Sequence, residues 1–146
     1  MEELSQQDFA ALLEFRSRLR RFLVWSERQA KEAGLTSRQH QLLLAVKGHT
    51  DERGPTVGEL ADYLQLRHHS TVELIDRAVE AGLVARCRDE DDARVIRVRM
   101  RAGGDRTLLA LTRQHLIELR ELAPALDHLA AALEHLGELG TPVLAR

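Results

Sequence analysis

Between Thr56 and Met100 the sequence reads TVGELADYLQLRHHSTVELIDRAVEAGLVARCRDEDDARVIRVRM, and this stretch limits the fold more than any other. Thr56 and Glu59 follow Pro55 and fit a capping box, in which hydroxyl and carboxylate satisfy each other's orphan backbone donors. TVGELADYL is then a short helix with Val57, Leu60, Ala61 and Leu64 inward. Two residues later RHHSTVELIDRAVEAG begins another helix, with Val72, Ile75 and Val79 on the inner face and Gly82 as its stop. Two short helices on a tight link make a helix-turn-helix pattern. VARCR and VIRVRM alternate apolar with arginine, which predicts a β-hairpin with DEDDA as its loop and one face on the core.

The flanks read as helix. Phe9, Leu12, Phe15, Leu19 and Phe22 recur at three- and four-residue steps, so residues 6–33 form a long amphipathic helix ended by Gly34. Thr36 and Gln39 repeat the capping box and open a helix through about His49, and TDERGP is a loop. After Gly103 and Gly104, with Asp105 as cap, helix returns nearly to the end. There Leu119, Leu122, Leu126, Leu129, Leu133 and Leu136 form an a/d stripe, and Pro124 must kink or restart the helix. Strong apolar stripes at both chain ends suggest a dimer whose termini pair and whose middle faces outward.

Composition narrows the classes. Apolar residues make up 44% and only five are aromatic, which favours helix packing of Leu, Val and Ala over a sandwich. A length of 146 residues fits one domain. The single cysteine excludes an intrachain disulfide framework and suits a reducing compartment. Without a secretory leader pattern or an apolar run of membrane length, a soluble cytoplasmic protein with no membrane partner is the expectation. Net charge is −2, while Leu64–Arg101 carries eight arginines against seven acids, so electrostatics alone is weak support for nucleic acid. No G-x-S-x-G, H-E-x-x-H or phosphate-binding glycine loop occurs, so no enzyme and no cofactor is expected.

The order of helix, helix, helix, recognition helix, two-stranded wing and long helices resembles the multiple-antibiotic-resistance regulator (MarR) family of winged-helix repressors. LTSRQHQLLLAV resembles that family's second helix, TVGELADYLQL its third, and STVELIDRAVEAGLVARCRDEDDAR its recognition helix running into the wing. The expected fold is mainly α with a small β-hairpin wing (α+β), a winged helix-turn-helix with N- and C-terminal dimerisation helices. It is expected as one domain over 1–146, with 6–33 and 105–139 pairing and 36–101 binding DNA. The resemblance implies a homodimer on the double-stranded DNA of a pseudo-palindromic operator, a repressor released by a small aromatic or phenolic effector. A winged helix used for protein contact, or as an architectural DNA binder without effector, is the alternative.

The site residues follow. Arg67, His68, His69, Ser70 and Thr71 lie where a helix N-terminus offers N–H groups to phosphates. Thr56, Arg77, Arg88, Arg94 and Arg97 complete the expected DNA contacts. The family's wing carries an Asp-x-Arg signature, matched by Asp92-Ala93-Arg94. Four consecutive acids near phosphates would repel, so the acids are read as fixing arginines: Asp92 orders Arg94, and Asp89 or Asp91 meets Arg77 or a strand arginine. A solvated acidic turn is the plainer reading. Ala93 and Glu73 stand where many relatives carry arginine. Glu73 either accepts from a cytosine amino group, caps with Ser70, or pairs with Arg77. Arg16, Arg20, Trp25 and His40 are candidates to line an effector site. Cys87 reads as a small core-facing residue rather than a redox sensor. No zinc-type spacing occurs among the histidines, so no metal is expected: His128 and His135 lie seven apart, and His68 and His69 are adjacent.

Overall fold

The computed structural model describes residues 3–136 and 142–145. In chain order it has α1 (Gln6–Glu32), α2 (Ser37–Gly48), α3 (Val57–Leu64), α4 (His68–Glu80), β1 (Val84–Arg88), β2 (Ile96–Met100), α5 (Ala102–Leu119) and α6 (Ala123–Leu136). Short 3-10 turns cover Arg120–Leu122 and Val143–Ala145. Two compact units result: the described residues up to Trp25 with those from His115 onward, and Ser26–Gln114.

The Ser26–Gln114 unit packs α2, α3, α4, the hairpin and the first part of α5 around Leu42, Leu43, Leu60, Ile75, Val84 and Val98, all fully buried. Each such side chain contributes about 1.5–3 kcal/mol on leaving water. Both expected capping boxes form. The Thr36 hydroxyl accepts from the Gln39 amide at 3.1 Å while Gln39 Oε1 accepts from the Thr36 amide at 3.0 Å. Thr56 and Glu59 repeat the exchange at 3.2 Å in both directions. Between α3 and α4, Gln65 takes the left-handed conformation at φ 53°, and its side-chain amide donates to the Asp62 carbonyl at 2.6 Å. A left-handed turn without glycine leaves no composition signal.

On α4 the expected inner face is corrected. Thr71, Leu74, Ile75 and Ala78 are buried, while Val72 and Val79 are half-buried on the flank. The helix is rotated so that Ile75 stays central and Thr71 turns inward, which is tolerable because its hydroxyl donates to the Arg67 carbonyl at 2.9 Å. The strands pair antiparallel from Val84 opposite Met100 to Arg88 opposite Ile96. Asp105 does not cap α5. That helix starts at Ala102 and takes both glycines into its first turn, and position 104 needs glycine because a Cβ there would run into the Leu83 carbonyl. Asp105 instead pairs with Lys47 at 2.7 Å.

In the other unit Ala11, Leu122 and Ala125 are buried. Phe22, Trp25 and His115 form a ring cluster, with centroids 4.8 Å apart for Trp25 and His115. Pro124 sits in the first turn of α6, after the 3-10 turn that breaks the preceding helix. Of the leucine stripe, Leu122 is buried, Leu129 half-buried, and Leu119, Leu126 and Leu133 are exposed. The Leu136 and His135 side chains, and the expected continuation to residue 139, lie outside the described residues. Among the described residues no helix is long and apolar enough to cross a membrane.

Candidate nucleic-acid interface

The outer surface of the Ser26–Gln114 unit is built by α4, the hairpin and the loop before α3. Arg67 occupies the N-cap position of α4 without a side-chain capping bond, and Arg67, His68 and His69 are exposed. Ser70 is half-buried and Thr71 fully buried, so Thr71 supports the core and is not available to DNA. Arg77 and Arg88 are exposed. Arg86 on β1 pairs with Asp76 on α4, which fixes the recognition helix to the hairpin. Glu73 neither caps nor pairs with Arg77: α4 starts before Ser70, and the partner of Glu73 is His69 at 3.3 Å.

The acidic loop is held by arginines. Asp89, its side chain only 6% exposed, accepts from Arg97 Nε at 2.6 Å and from the amides of Asp91 and Asp92 at 3.2 and 3.1 Å. Arg97 also donates to the Gly54 carbonyl at 2.8 Å, and its side chain is 11% exposed. Arg97 is therefore a strut at the base of the wing, not the expected surface contact. The strand arginine meets Asp89, and Arg77 does not. At the tip, the Arg94 amide and Nε donate to Asp92 Oδ1 at 3.0 and 3.1 Å, and a terminal nitrogen of the guanidinium donates to Oδ2 at 3.2 Å. The Arg94 side chain stays 90% exposed.

The loop at residues 50–55, expected as a plain connection, belongs to the same construction. Arg53 binds Asp51 through its amide at 2.9 Å, Nε at 3.1 Å and a terminal nitrogen at 2.8 Å, the pattern of Arg94 on Asp92. A second terminal nitrogen of Arg53 reaches Asp89 at 3.5 Å and Asp91 at 3.7 Å. The Val98 amide donates to the Pro55 carbonyl at 2.9 Å, and Thr56 bridges to Arg97. Gly54 is required there: its φ is +90° and a Cβ would collide with the Val98 carbonyl oxygen. The readable signal was the Asp-x-Arg spacing, present in Asp51-Glu52-Arg53 as in Asp92-Ala93-Arg94.

Charge pairing sets the electrostatics. Hydrogen bonds from Arg97, then from the loop amides, hold the Asp89 carboxyl below its ordinary range against partial burial. Arg94 does the same to Asp92, and Arg53 to Asp51, while Asp51 raises Arg53 in return. The carboxylates stay ionised and most of their field is spent on arginines within the wing.

Of the expected effector residues, Trp25 lines a cavity within its own unit. In the unit built on α1 and α6, Arg18, Arg21, Phe22, Trp25, Glu118, Glu121 and Leu122 line a cavity of about 240 Å³. Arg18, Arg21, Phe22 and Trp25 share one face of α1 by their three- and four-residue spacing, whereas Arg16 and Arg20 point elsewhere and are exposed. Arg18 donates to the Glu121 carbonyl at 3.3 Å and pairs with Glu14 at 3.5 Å. His40 is buried in the Ser26–Gln114 unit. Cys87 is half-buried, its thiol facing the Arg97 carbonyl at 3.7 Å. His128 pairs with Glu14 at 2.9 Å. No cluster of three or more metal-ligating side chains occurs among the described residues.

Comparison with known proteins agrees with this geometry. The sequence profile of the MarR family matches residues 33–95. AbsC, a MarR family transcriptional regulator from Streptomyces coelicolor, superposes with a TM-score of 0.66 at 20% identity, over 84% of this chain and 82% of its own. MepR from Staphylococcus aureus in a complex with DNA gives 0.65 at 18%, over 84% and 85%. A mutant MarR from Escherichia coli complexed with operator DNA gives 0.65 at 18%, over 84% and 90%. No curated protein matches the sequence. The matched segment 33–95 holds α2, the helix-turn-helix and β1 with the loop that follows it, and the chain has the fold of solved MarR family transcription regulators.

Proposed function

We propose that this chain is a homodimeric, sequence-specific DNA-binding regulator acting in the cytoplasm, a repressor that a small-molecule effector releases from its operator. The observation that carries the reading is the pair of ties within the reading surface. Arg86 with Asp76 joins α4 to β1, and Arg97 with the Gly54 carbonyl joins the wing to the loop before α3. The exposed N-terminal turn of α4 and the Asp92-held Arg94 are thus presented in a fixed mutual geometry, ready for a major groove and the minor groove beside it. The DNA-bound MepR and MarR structures of like fold support DNA as the partner.

A second copy of the chain supports the rest. Phe9, Leu12 and Leu13 on α1 are 57%, 49% and 68% exposed, and Leu126 and Leu133 on α6 are exposed as well, an apolar surface that pairing of the terminal helices removes from water. The whole chain then acts as one domain, with 6–33 and 105–139 pairing and 36–101 reading DNA. Two recognition helices about 34–36 Å apart require a pseudo-palindromic operator. The cavity beside Trp25 offers two aromatic rings and two guanidinium groups beside the side chains of Glu118 and Glu121, a lining that suits an aromatic molecule whose carboxylate meets Arg18 or Arg21. Such an effector releases DNA only through differential affinity for the two states.

Selection from randomised duplexes, on protein sized by light scattering, tests the reading. A dimer mass and an enriched inverted repeat support it; a monomer, or a pool without a motif, overturns it. One observation favours a second reading, an architectural or protein-contact module: the outward face of α4 carries Glu73, Asp76 and Glu80. Steep salt-dependent binding without sequence preference would indicate the architectural case, and absence of DNA binding the protein-contact case.

A further inference from the structure

Of the three carboxylates on α4, Asp76 is tied to the hairpin, and Glu73 and Glu80 are not. The buried side of the helix is Thr71, Leu74, Ile75 and Ala78, which places His69, Glu73, Asp76 and Glu80 on the opposite side, all exposed. Asp76 is bound by Arg86 of the hairpin. Glu80 is the last residue of the helix, far from the N-terminal half that enters a groove. Glu73 is in the N-terminal half, its side chain 59% exposed, held only by His69 one turn earlier on the same helix. No capping, packing or wing contact explains a carboxylate there, and beside phosphates an idle one weakens binding.

We infer that Glu73, oriented by His69, is a base-reading residue that accepts a hydrogen bond from the amino group of a cytosine in the major groove. The inference rests on the DNA-binding reading above and adds the base to it. An ionised carboxylate has acceptors only, so it requires an amino group in the groove. Cytosine presents N4–H2 there. Adenine presents N6–H2 beside the N7 acceptor, which repels a carboxylate, and guanine and thymine present acceptors. His69 Nε2 stands 3.3 Å from a Glu73 carboxylate oxygen on the outward side of the helix, an i, i+4 neighbour that favours this orientation of the carboxylate. His69 is the positioning residue of the pair, and Glu73 is the one that touches the base.

The test is selection from randomised duplexes with the full-length wild-type chain, Glu73→Gln and His69→Gln in parallel, scoring base frequency position by position. Both residues are exposed, and equal melting temperatures confirm that the variants fold. The wild type is expected to enrich cytosine at one symmetry-related position, with a preference on the order of tenfold. Glu73→Gln should lose that preference or move it to adenine, whose N6 and N7 a glutamine amide matches, with the other positions unchanged. His69→Gln should weaken the preference without redirecting it. A motif identical between wild type and Glu73→Gln overturns this inference alone and leaves the regulator reading standing. A wild type that enriches no motif overturns both.

Discussion

Arg97 on β2 donates through Nε to Asp89 at 2.6 Å, and the same guanidinium donates to the Gly54 carbonyl at 2.8 Å. One side chain thereby ties the acidic loop of the hairpin to the loop that precedes α3. Asp89, Asp91 and Asp92 at the tip of a basic hairpin are thus acceptors for arginines and loop amides, while the exposed guanidinium of Arg94 stays open to a partner. Replacing Arg97 with alanine removes the strut and leaves Asp89 with the amides of Asp91 and Asp92 as its main partners. Those amides should exchange with solvent faster in the variant by hydrogen–deuterium exchange, while core amides of α2 keep their protection. Unchanged loop exchange would show that Arg97 is not what orders the wing.

The pH dependence has a definite sign. Asp51, Asp89 and Asp92 are held below the ordinary carboxylate value by their arginines. A carboxylate with a depressed folded-state pKa adds stability that is fully present above its unfolded value near 3.9 and is lost as pH falls through the folded value. The wing should therefore keep its structure from neutrality down to about pH 4 and loosen only below it. Carboxyl carbon chemical shifts, followed by NMR through acid titration, should give Asp89 and Asp92 midpoints under about 3.9. Midpoints at or above that value would mean the pairs do not persist in solution.

Arg94 and Asp92 should separate by salt dependence. Arg94→Ala is expected to weaken binding to a selected duplex and to lower the slope of log affinity against log salt by about one phosphate's worth. Asp92→Ala frees the guanidinium without removing its charge, so the slope should hold while affinity falls less. Fluorescence anisotropy across a salt series reads both. Equal affinity for Arg94→Ala and wild type at fixed salt would take the wing tip out of the interface.

Trp25 is the only tryptophan in the chain and lines the cavity with Arg18 and Arg21, so its emission reports on that space directly. Salicylate is a suitable probe because it combines a carboxylate with an aromatic ring. Titration should change Trp25 fluorescence saturably, and Arg18→Ala with Arg21→Ala should abolish the change, while Arg16→Ala and Arg20→Ala should not. A response untouched by the Arg18 and Arg21 changes would place the binding elsewhere.

Much of this architecture could be read from local chemistry. Thr36 with Gln39 and Thr56 with Glu59 mark helix starts because capping is written within four residues. The alternation of VARCR and IRVRM marks the hairpin for the same reason. Two features resisted because they depend on contacts distant in sequence or on a conformation without a marker. Gly104 belongs inside α5 since Leu83 packs against it, and Gln65 turns left-handed with no glycine to announce it. At the site, Arg94 with Asp92 is an i, i+2 arrangement and was legible. Arg97 with Asp89 spans the hairpin, and Arg53 with Asp89 spans 36 residues, so neither had a linear trace. Thr71 was misplaced because a hydroxyl looks like a surface group until its bond to the Arg67 carbonyl is seen.

Half-site spacing tests the central claim most directly. The selected duplex is varied by inserting five base pairs between half-sites, and complex mass and affinity are measured for each. Two rigidly linked recognition helices predict a complex of two chains per duplex whose half-site centres lie about one helical turn apart, with binding severely weakened by the five-pair insertion, which puts the half-sites on opposite faces of the DNA. Affinity indifferent to the insertion, or a single chain per duplex, would contradict a dimeric operator-binding regulator.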